Sequence, residues 1–596
     1  MHNRISPAPV AAPVRATFFR RMAAELNSEA RFPRSLQRAW IDLAVLVGQL
    51  TLVFAVIDVG SEWKQPLRHA VNLDLSPWRL PEYTLYSLAR GWIAYFFSLV
   101  FTIAYASWAY YDTRTRRFLL PVLDVLQSIP VLGFLPGLVL ALVHLFPHSN
   151  IGLELACVLA IFTGQVWNMT FSYYDSLLAI PPDYYLLGRL YGYRWWHRFW
   201  KIELPFGAQG LLYNSMVSMA GGWFFLAVTE AIQLGDQDYR LPGIGSYMSV
   251  AIEQGNVSAQ IYAVIAMAVM ILIVDRLIWW PLVVWSRKFK LDDFGGGVVE
   301  KSPIALWLAR SRLSQAFTSG TQRLLNRMVA PAQPPTTAEA VAPEKPPRSH
   351  WLYYAFIVIL LAVLAQGAIR LVLMLKQVNG HDWIEILYSA GLTFLRVMAA
   401  TAIGAAWTIP AGVWIGLNPN MARRLQPFIQ FCASFPAPMI YPWILLLVLA
   451  VGGSLQWGSV LLILFGTQWY ILFNVAGAAA AIPNEVLSAS DIMQLHGWCK
   501  WRKLLLPAIF PGLLTGLITA VGGAWNATIV SEYILVKGKV YQATGLGALI
   551  SRATDEGNFP KLAAAVIVMA VAVVGLNRTV WKRLQHLANE RCRFGT

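Results

Sequence analysis

Cysteine is scarce: Cys157, Cys432, Cys499 and Cys592 are the four in 596 residues, with no Cys-x-x-Cys pair and no histidine at a metal-binding spacing. That excludes a disulfide framework or metal cluster as the basis of the fold. Charge is also thin, at 13% Asp, Glu, Lys and Arg, about half the usual share of a soluble domain. A Gly-x4-Gly-Lys-[Ser/Thr] phosphate loop is missing, as is any loop-borne nucleophile set. The chain is therefore not read as an enzyme, and no cofactor of its own is expected.

What the chain has instead is apolar length. Hydrophobic residues make up 57% and the mean hydropathy is +0.52, which water cannot solvate in a chain this long. Runs of about 18 to 25 apolar residues recur, each long enough to cross a hydrocarbon core of about 30 Å as a helix. Hydropathy predicts six spans near 40–59, 88–110, 118–146, 150–172, 209–233 and 260–284. Six more follow near 351–375, 387–417, 427–451, 456–478, 510–534 and 562–581. The expected fold is all-α and transmembrane, with twelve helices. Between the two sets, 330–348 carries six prolines and reads as an extended linker.

The halves repeat each other. At a constant spacing of 302 residues, Trp167 meets Trp469, Ile180-Pro181 meets Ile482-Pro483, and Leu204-Pro205 meets Leu506-Pro507. Trp223 meets Trp525, Glu230 meets Glu532, Gly243 and Gly245 meet Gly545 and Gly547, and Gly255-Asn256 meets Gly557-Asn558. Upstream, after a four-residue shift, Ser128-x-Pro130-x5-Pro136 matches Ser434-x-Pro436-x5-Pro442. The reading is a basic arm over 1–37, a six-helix unit over 38–285, a linker over 286–350, a second unit over 351–582, and a tail over 583–596.

The net charge of +16 comes from 47 Lys and Arg against 31 Asp and Glu. With both termini and the linker placed in the cytoplasm, 33 of the 47 fall on that side, as the positive-inside bias requires. The basic balance is thereby explained by topology, and no nucleic-acid partner is expected. Arg15, Arg20, Arg21, Arg31, Arg34 and Arg38 are read as part of a retained cytoplasmic arm. Within the linker, residues 303–328 interleave Trp307, Leu308 and Phe317 with Arg310, Arg312 and Arg323. That pattern predicts a basic amphipathic helix lying on membrane lipid.

The longest internal cytoplasmic connection of each half, about 173–206 and 479–508, is too apolar for a plain loop. The first ends Gly192-x9-Ile202-x-Leu204-Pro205, which resembles the EAA loop of ABC-importer permeases. The second keeps Leu504-x-Leu506-Pro507 but has Gln494 at the glycine position, with Gly497 three residues on. Neither half has the motif's acid and paired alanines; Leu186, Leu187 and Gly188, and Ser488, Ala489 and Ser490, stand there. A coupling element of this kind needs a stiff projecting helix, a glycine for the sharp turn, and a Leu-Pro that stops it and aims the next span. Pro181, Gly192, Ile202, Leu204 and Pro205, with Pro483, Gln494, Leu504, Leu506 and Pro507, are the candidate ATPase-coupling residues. The Ser-x-Pro-x5-Pro segments, Trp223 and Trp525, and the glycines after Glu230 and Glu532 are similar to the nitrate, taurine and alkanesulfonate branch of those permeases.

The resemblance implies a fused pair of permease units with the type I ABC importer fold in a bacterial inner membrane. It further implies two cytoplasmic ATPase subunits carrying ATP and Mg2+, a periplasmic substrate-binding protein, and a small solute, an anion by the branch. Gln127, Ser128, Pro130, Gln430, Ser434 and Pro436 are expected along the translocation path, because prolines in a span free backbone carbonyls that a cavity can use. Glu230 and Glu532 join them as ionisable groups near membrane depth. The other acids near span ends, Asp42, Asp58, Asp124, Glu154 and Asp275, are read as structural. The alternative is a twelve-span, ion-coupled secondary transporter built from the same parallel repeats; it would need paired midplane charges.

Overall fold

A computed structural model describes residues 60–61, 63, 65, 73–234, 237–286 and 350–591. The expected basic arm, the span at 40–59, the amphipathic helix at 303–328, the proline-rich segment and the last five residues lie outside them. By density of contact, residues 176–213 and 273–286 form one compact unit, and 73–175, 214–272 and 350–591 the other.

In the first half the elements run α1 (Leu80–Tyr111), α2 (Thr113–Ser128), α3 (Val131–Leu145), α4 (Ile151–Leu178), α5 (Pro182–Leu190) and α6 (Leu204–Thr229). A hairpin of β1 (Ala231–Leu234) and β2 (Gln237–Arg240) follows, then α7 (Ile244–Glu253) and α8 (Val257–Val274). The second half runs α9 (His350–Leu375), α10 (Gly380–Leu417), α11 (Pro419–Ser434), α12 (Tyr441–Ala450), α13 (Leu455–Ala480), α14 (Asn484–Ile492) and α15 (Leu506–Ser531). It closes with β3 (Tyr533–Val536), β4 (Lys539–Gln542), α16 (Leu546–Asp555) and α17 (Phe559–Leu576). Among the described residues eight helices are long and apolar enough to cross a membrane. From α1 in the first half and α10 in the second, the order repeats element for element.

Three expectations change. The third span of each half is not one helix: α2 and α3 meet at 94°, and α11 and the Ala437–Ala450 segment at 82°. Pro130 and Pro436 sit at these breaks in extended backbone, where the missing amide and fixed φ end one helix and start the next. Second, two antiparallel hairpins, Ala231↔Arg240 and Tyr533↔Gln542 at their open ends, interrupt the all-helical pattern. Third, Leu-Pro does not stop the element before the fifth span. Helix runs unbroken from Trp195 to Thr229 and from Gly497 to Ser531. A π turn just before each proline, Phe199–Glu203 and Trp501–Leu505, widens the backbone where the pyrrolidine ring would meet the preceding turn.

Candidate functional site

The repeated segment that ends in Leu-Pro has the same local build in both halves. In the first, α5 follows Pro181 and ends at Leu190, two residues before Gly192, whose φ is +65°. Tyr193 N–H donates back to the Gly188 carbonyl at 2.8 Å, a left-handed helix end that leaves few carbonyls unmet. In the second, α14 follows Pro483, Leu495 N–H donates to the Ser490 carbonyl at 3.0 Å, and Gln494 takes the left-handed place with φ +55°. The substitution of glycine by glutamine thus changes the residue and keeps the turn, at a cost of about 1 kcal/mol for a side chain at positive φ.

Gly188 is buried, and a Cβ there would press on Ile202 Cδ1 at 3.2 Å. Ser490 and Leu504 are the buried counterparts. The position of the motif's second alanine is therefore kept small so that the returning π turn can lie across the helix. The other faces stay in the open: Pro181 and Pro483 are exposed, Leu190 is 70% and Ile492 83% exposed, and Leu186, Leu187, Tyr191, Met493 and Trp498 are exposed beside them. Leu204, Pro205, Leu506 and Pro507 are half-buried. Asp491 and Lys500 close an exposed ion pair at 2.6 Å in the second segment, and Lys500 holds the Asp491 carboxyl below the ordinary range.

Three cavities lie among the helices of the larger unit. The first, about 170 Å³, is walled by Gln127, Ser128 and Asn168 of the first half and Thr467, Asn526 and Asn577 of the second, with Trp167, Phe225, Tyr470 and Trp581. Ser218 Oγ, nearly inaccessible on this wall, and Gln127 Oε1 have no hydrogen-bond partner among the described residues. Asn577 Nδ2 donates to Asp124 Oδ1 at 3.2 Å and to Ser128 Oγ at 3.1 Å, and Lys582 pairs with Asp124 at 2.5 Å, so the end of the second half is tied to the bent span of the first. Of the expected path residues, Gln127 and Ser128 are on this wall. Pro130 lies between the wall residues Ile129 and Val131, while Gln430, whose Nε2 donates to Met216 Sδ at 2.9 Å, Ser434 and Pro436 are not on it.

Two adjoining chambers of about 200 and 250 Å³ share Ser249, Glu253 and Tyr533 on their walls. They lie by the two hairpins, and each draws residues from both halves, including the repeat pairs Val228 with Val530 and, in the larger, Ser249 with Ser551 and Glu253 with Asp555.

Glu230 and Glu532 line none of these cavities. Each is fully buried in an ion cluster that hydropathy reading missed. Arg90 Nη1 donates to Glu230 Oε1 at 2.8 Å and to the Pro242 carbonyl, and its other nitrogens grip both Glu154 oxygens at 2.7 Å. Ser87 Oγ and Gly245 N–H complete the Glu230 shell. In the second half Arg396 Nη1 donates to Glu532 Oε1 at 2.9 Å and to the Thr544 carbonyl, with Thr393 in place of Ser87 and Gly547 in place of Gly245. Gln456 stands where Glu154 does and accepts from Arg396 Nη2. The glycines are explained: a Cβ on Gly243 or Gly545 would collide with the Glu230 or Glu532 carboxylate. The signal was legible, because Arg90 and Arg396 are arginines inside apolar runs at the same 306-residue spacing that relates Ser128 to Ser434.

A family model described as "binding-protein-dependent transport system inner membrane component" matches the chain twice, over residues 98–280 and 408–580. The chain is 29% identical over 185 residues to the bicarbonate transport system permease protein CmpB of Synechococcus elongatus, covering 31% of this chain and 63% of that protein. To the nitrate import permease protein NrtB of Leptolyngbya laminosa it is 27% identical over 185 residues, with the same coverage of each. To the taurine transport system permease protein TauC of Escherichia coli it is 25% identical over 188 residues, covering 32% and 62%. The match thus spans less than two thirds of each relative.

Proposed function

Because the chain belongs to the binding-protein-dependent transport system inner membrane component family, matched once in each half, we propose that it is the fused permease of an ATP-driven importer in a bacterial inner membrane. Its two six-helix units, 38–285 and 351–582, enclose one path for a small solute, and both termini lie in the cytoplasm. The relatives are named as permease components for bicarbonate, nitrate and taurine, which favours a small anionic or sulfonated solute and gives no support to the ion-coupled alternative.

The observation that carries this reading is the duplicated segment of helix, left-handed turn and π turn, which presents exposed Leu190 and Tyr191 in one half and Ile492 and Met493 in the other. Apolar tips of that size on projecting helices fit sockets on partner proteins. Two ATPase subunits, carrying ATP and Mg2+, dock there. A substrate-binding protein delivers solute at the hairpin ends, and closure of the ATPases moves the docking segments and tips the halves between inward-open and outward-open. Helix is continuous from Trp195 into α6 and from Gly497 into α15, and in this reading that continuity carries the motion of each segment.

The test is solute-stimulated ATP hydrolysis by the assembled transporter. Leu190→Asp with Ile492→Asp abolishes stimulation while the melting point of the chain is kept; full stimulation in that variant overturns the docking assignment.

A further inference from the structure

Arg240 is the one Lys or Arg side chain, among the described residues, on the walls of the three cavities. It lies in β2, is 8% exposed, and pairs at 2.5 Å with Glu253 on the wall of the larger chamber. Glu253, at the end of α7, keeps 27% of its side chain open, so it has somewhere to go. Tyr441 is buried on the wall of the adjoining chamber with a hydroxyl that has no partner among the described residues. Ser249, on both walls, lies 3.5 Å from Glu253.

The repeat makes this corner one-sided. The counterpart of Arg240 is Gln542, and the counterpart of Glu253 is Asp555, which receives the Tyr533 hydroxyl at 2.5 Å. One half thus offers a guanidinium already engaged by a movable carboxylate; the other offers a carboxylate satisfied by a phenol. A fused chain can hold such an asymmetry, and a pair of identical subunits cannot.

We propose that Arg240 is the residue that selects the solute's anionic group, exchanging Glu253 for a carboxylate, sulfonate or other small oxyanion entering the chamber. The inference rests on the permease reading. Exchange keeps the guanidinium paired throughout, so no buried lone charge is made, and the loss of a buried partner is what makes breaking such a pair costly. Glu253 takes Arg240 Nη2 through one oxygen, and a planar guanidinium can present a second N–H to an entering oxyanion. The swap is also placed to be felt by the second half. The Ile252 carbonyl, next to Glu253, accepts Lys537 N–H at 3.2 Å from the turn between β3 and β4, and the Lys537 side chain covers Gly255 at φ +65°. Displacing Glu253 therefore acts on the helix end to which the other half's hairpin is tied.

The test uses the full chain in lipid nanodiscs, with its thermal midpoint titrated by sodium nitrate, sodium bicarbonate and sodium methanesulfonate against sodium chloride of equal ionic strength. At least one probe raises the midpoint saturably. Arg240→Gln weakens that response at least tenfold, Arg240→Lys recovers part of it, and Glu253→Gln tightens it by removing the competitor. Undiminished binding in Arg240→Gln, weaker binding in Glu253→Gln, or no saturable response in either the native chain or Glu253→Gln overturns the proposal. No ATPase enters this measurement, so its failure leaves the coupling test of the permease reading standing.

Discussion

Arg90 and Glu230, 140 residues apart in the chain, meet at 2.8 Å in a space that solvent does not reach, and Arg396 and Glu532 repeat the pair at 2.9 Å. Arg90 clamps α1 to the turn after α6, and Arg396 clamps α10 to the turn after α15. The first cluster carries one carboxylate more than the second, since Glu154 faces Arg90 where Gln456 faces Arg396. Glu154 sits in the first turn of α4, where the helix dipole stabilises an anion.

Removing the guanidinium leaves buried carboxylates alone. Arg90→Met and Arg396→Met are each expected to cost about 3–5 kcal/mol, read as a large fall in the melting point of the purified chain. Glu154→Gln, which copies the arrangement of the second half, is expected to change stability by only about 1 kcal/mol. Equal damage from Glu154→Gln and Arg90→Met would contradict the idea that the two clusters are interchangeable in geometry.

Gly243 and Gly545 exist to let a carboxylate lie against backbone. Gly243→Ala pushes a methyl into Glu230 and is expected to cost about 1–3 kcal/mol through displacement of the cluster. Gly367→Ala, inside α9 where a Cβ meets nothing within 4 Å, is the control and should not lower the melting point.

Gln494 holds a left-handed conformation that glycine adopts freely. Gln494→Gly should stabilise the 484–507 segment by about 0.4–1 kcal/mol, and Gly192→Ala should destabilise its counterpart by more. Hydrogen exchange of the two segments reads each change locally. Faster exchange in Gln494→Gly would show that the glutamine side chain, rather than the turn, is what matters there.

Asp491 gives the second segment a pH dependence that the first lacks, because Arg189 and Arg198 stand at the matching places. Its carboxyl pKa is lowered by Lys500. The pair therefore supports the segment above the unfolded carboxylate value of about 3.9, and that support is lost as the pH falls through the lower, folded value. Protection factors for residues 491–500 should hold from neutral pH to about 5 and drop on further acidification. Asp491→Asn should remove the drop.

The repeat, the apolar helices among the described residues and the positions of the prolines were legible because each leaves a local mark: a constant spacing, apolar length, a Ser-x-Pro. The 94° bend at Pro130 and the π turns before Pro205 and Pro507 were not, since hydropathy averages over them and proline alone does not say whether a helix ends, kinks or widens. Two path candidates, Gln127 and Ser128, are on a cavity wall. Glu230 and Glu532 went to buried pairs because their partners Arg90 and Arg396 sit 140 and 136 residues upstream, where only the repeat links them. The hairpins were hidden inside segments too short and too mixed to show alternation.

The central claim is that this chain moves solute only when separate ATPase subunits act on its two docking segments. Uptake into proteoliposomes measures it directly, with the chain alone under an ion gradient compared with the chain plus its ATPase and binding protein under ATP. The account predicts uptake in the second case alone; solute accumulation driven by the gradient without an ATPase would contradict it.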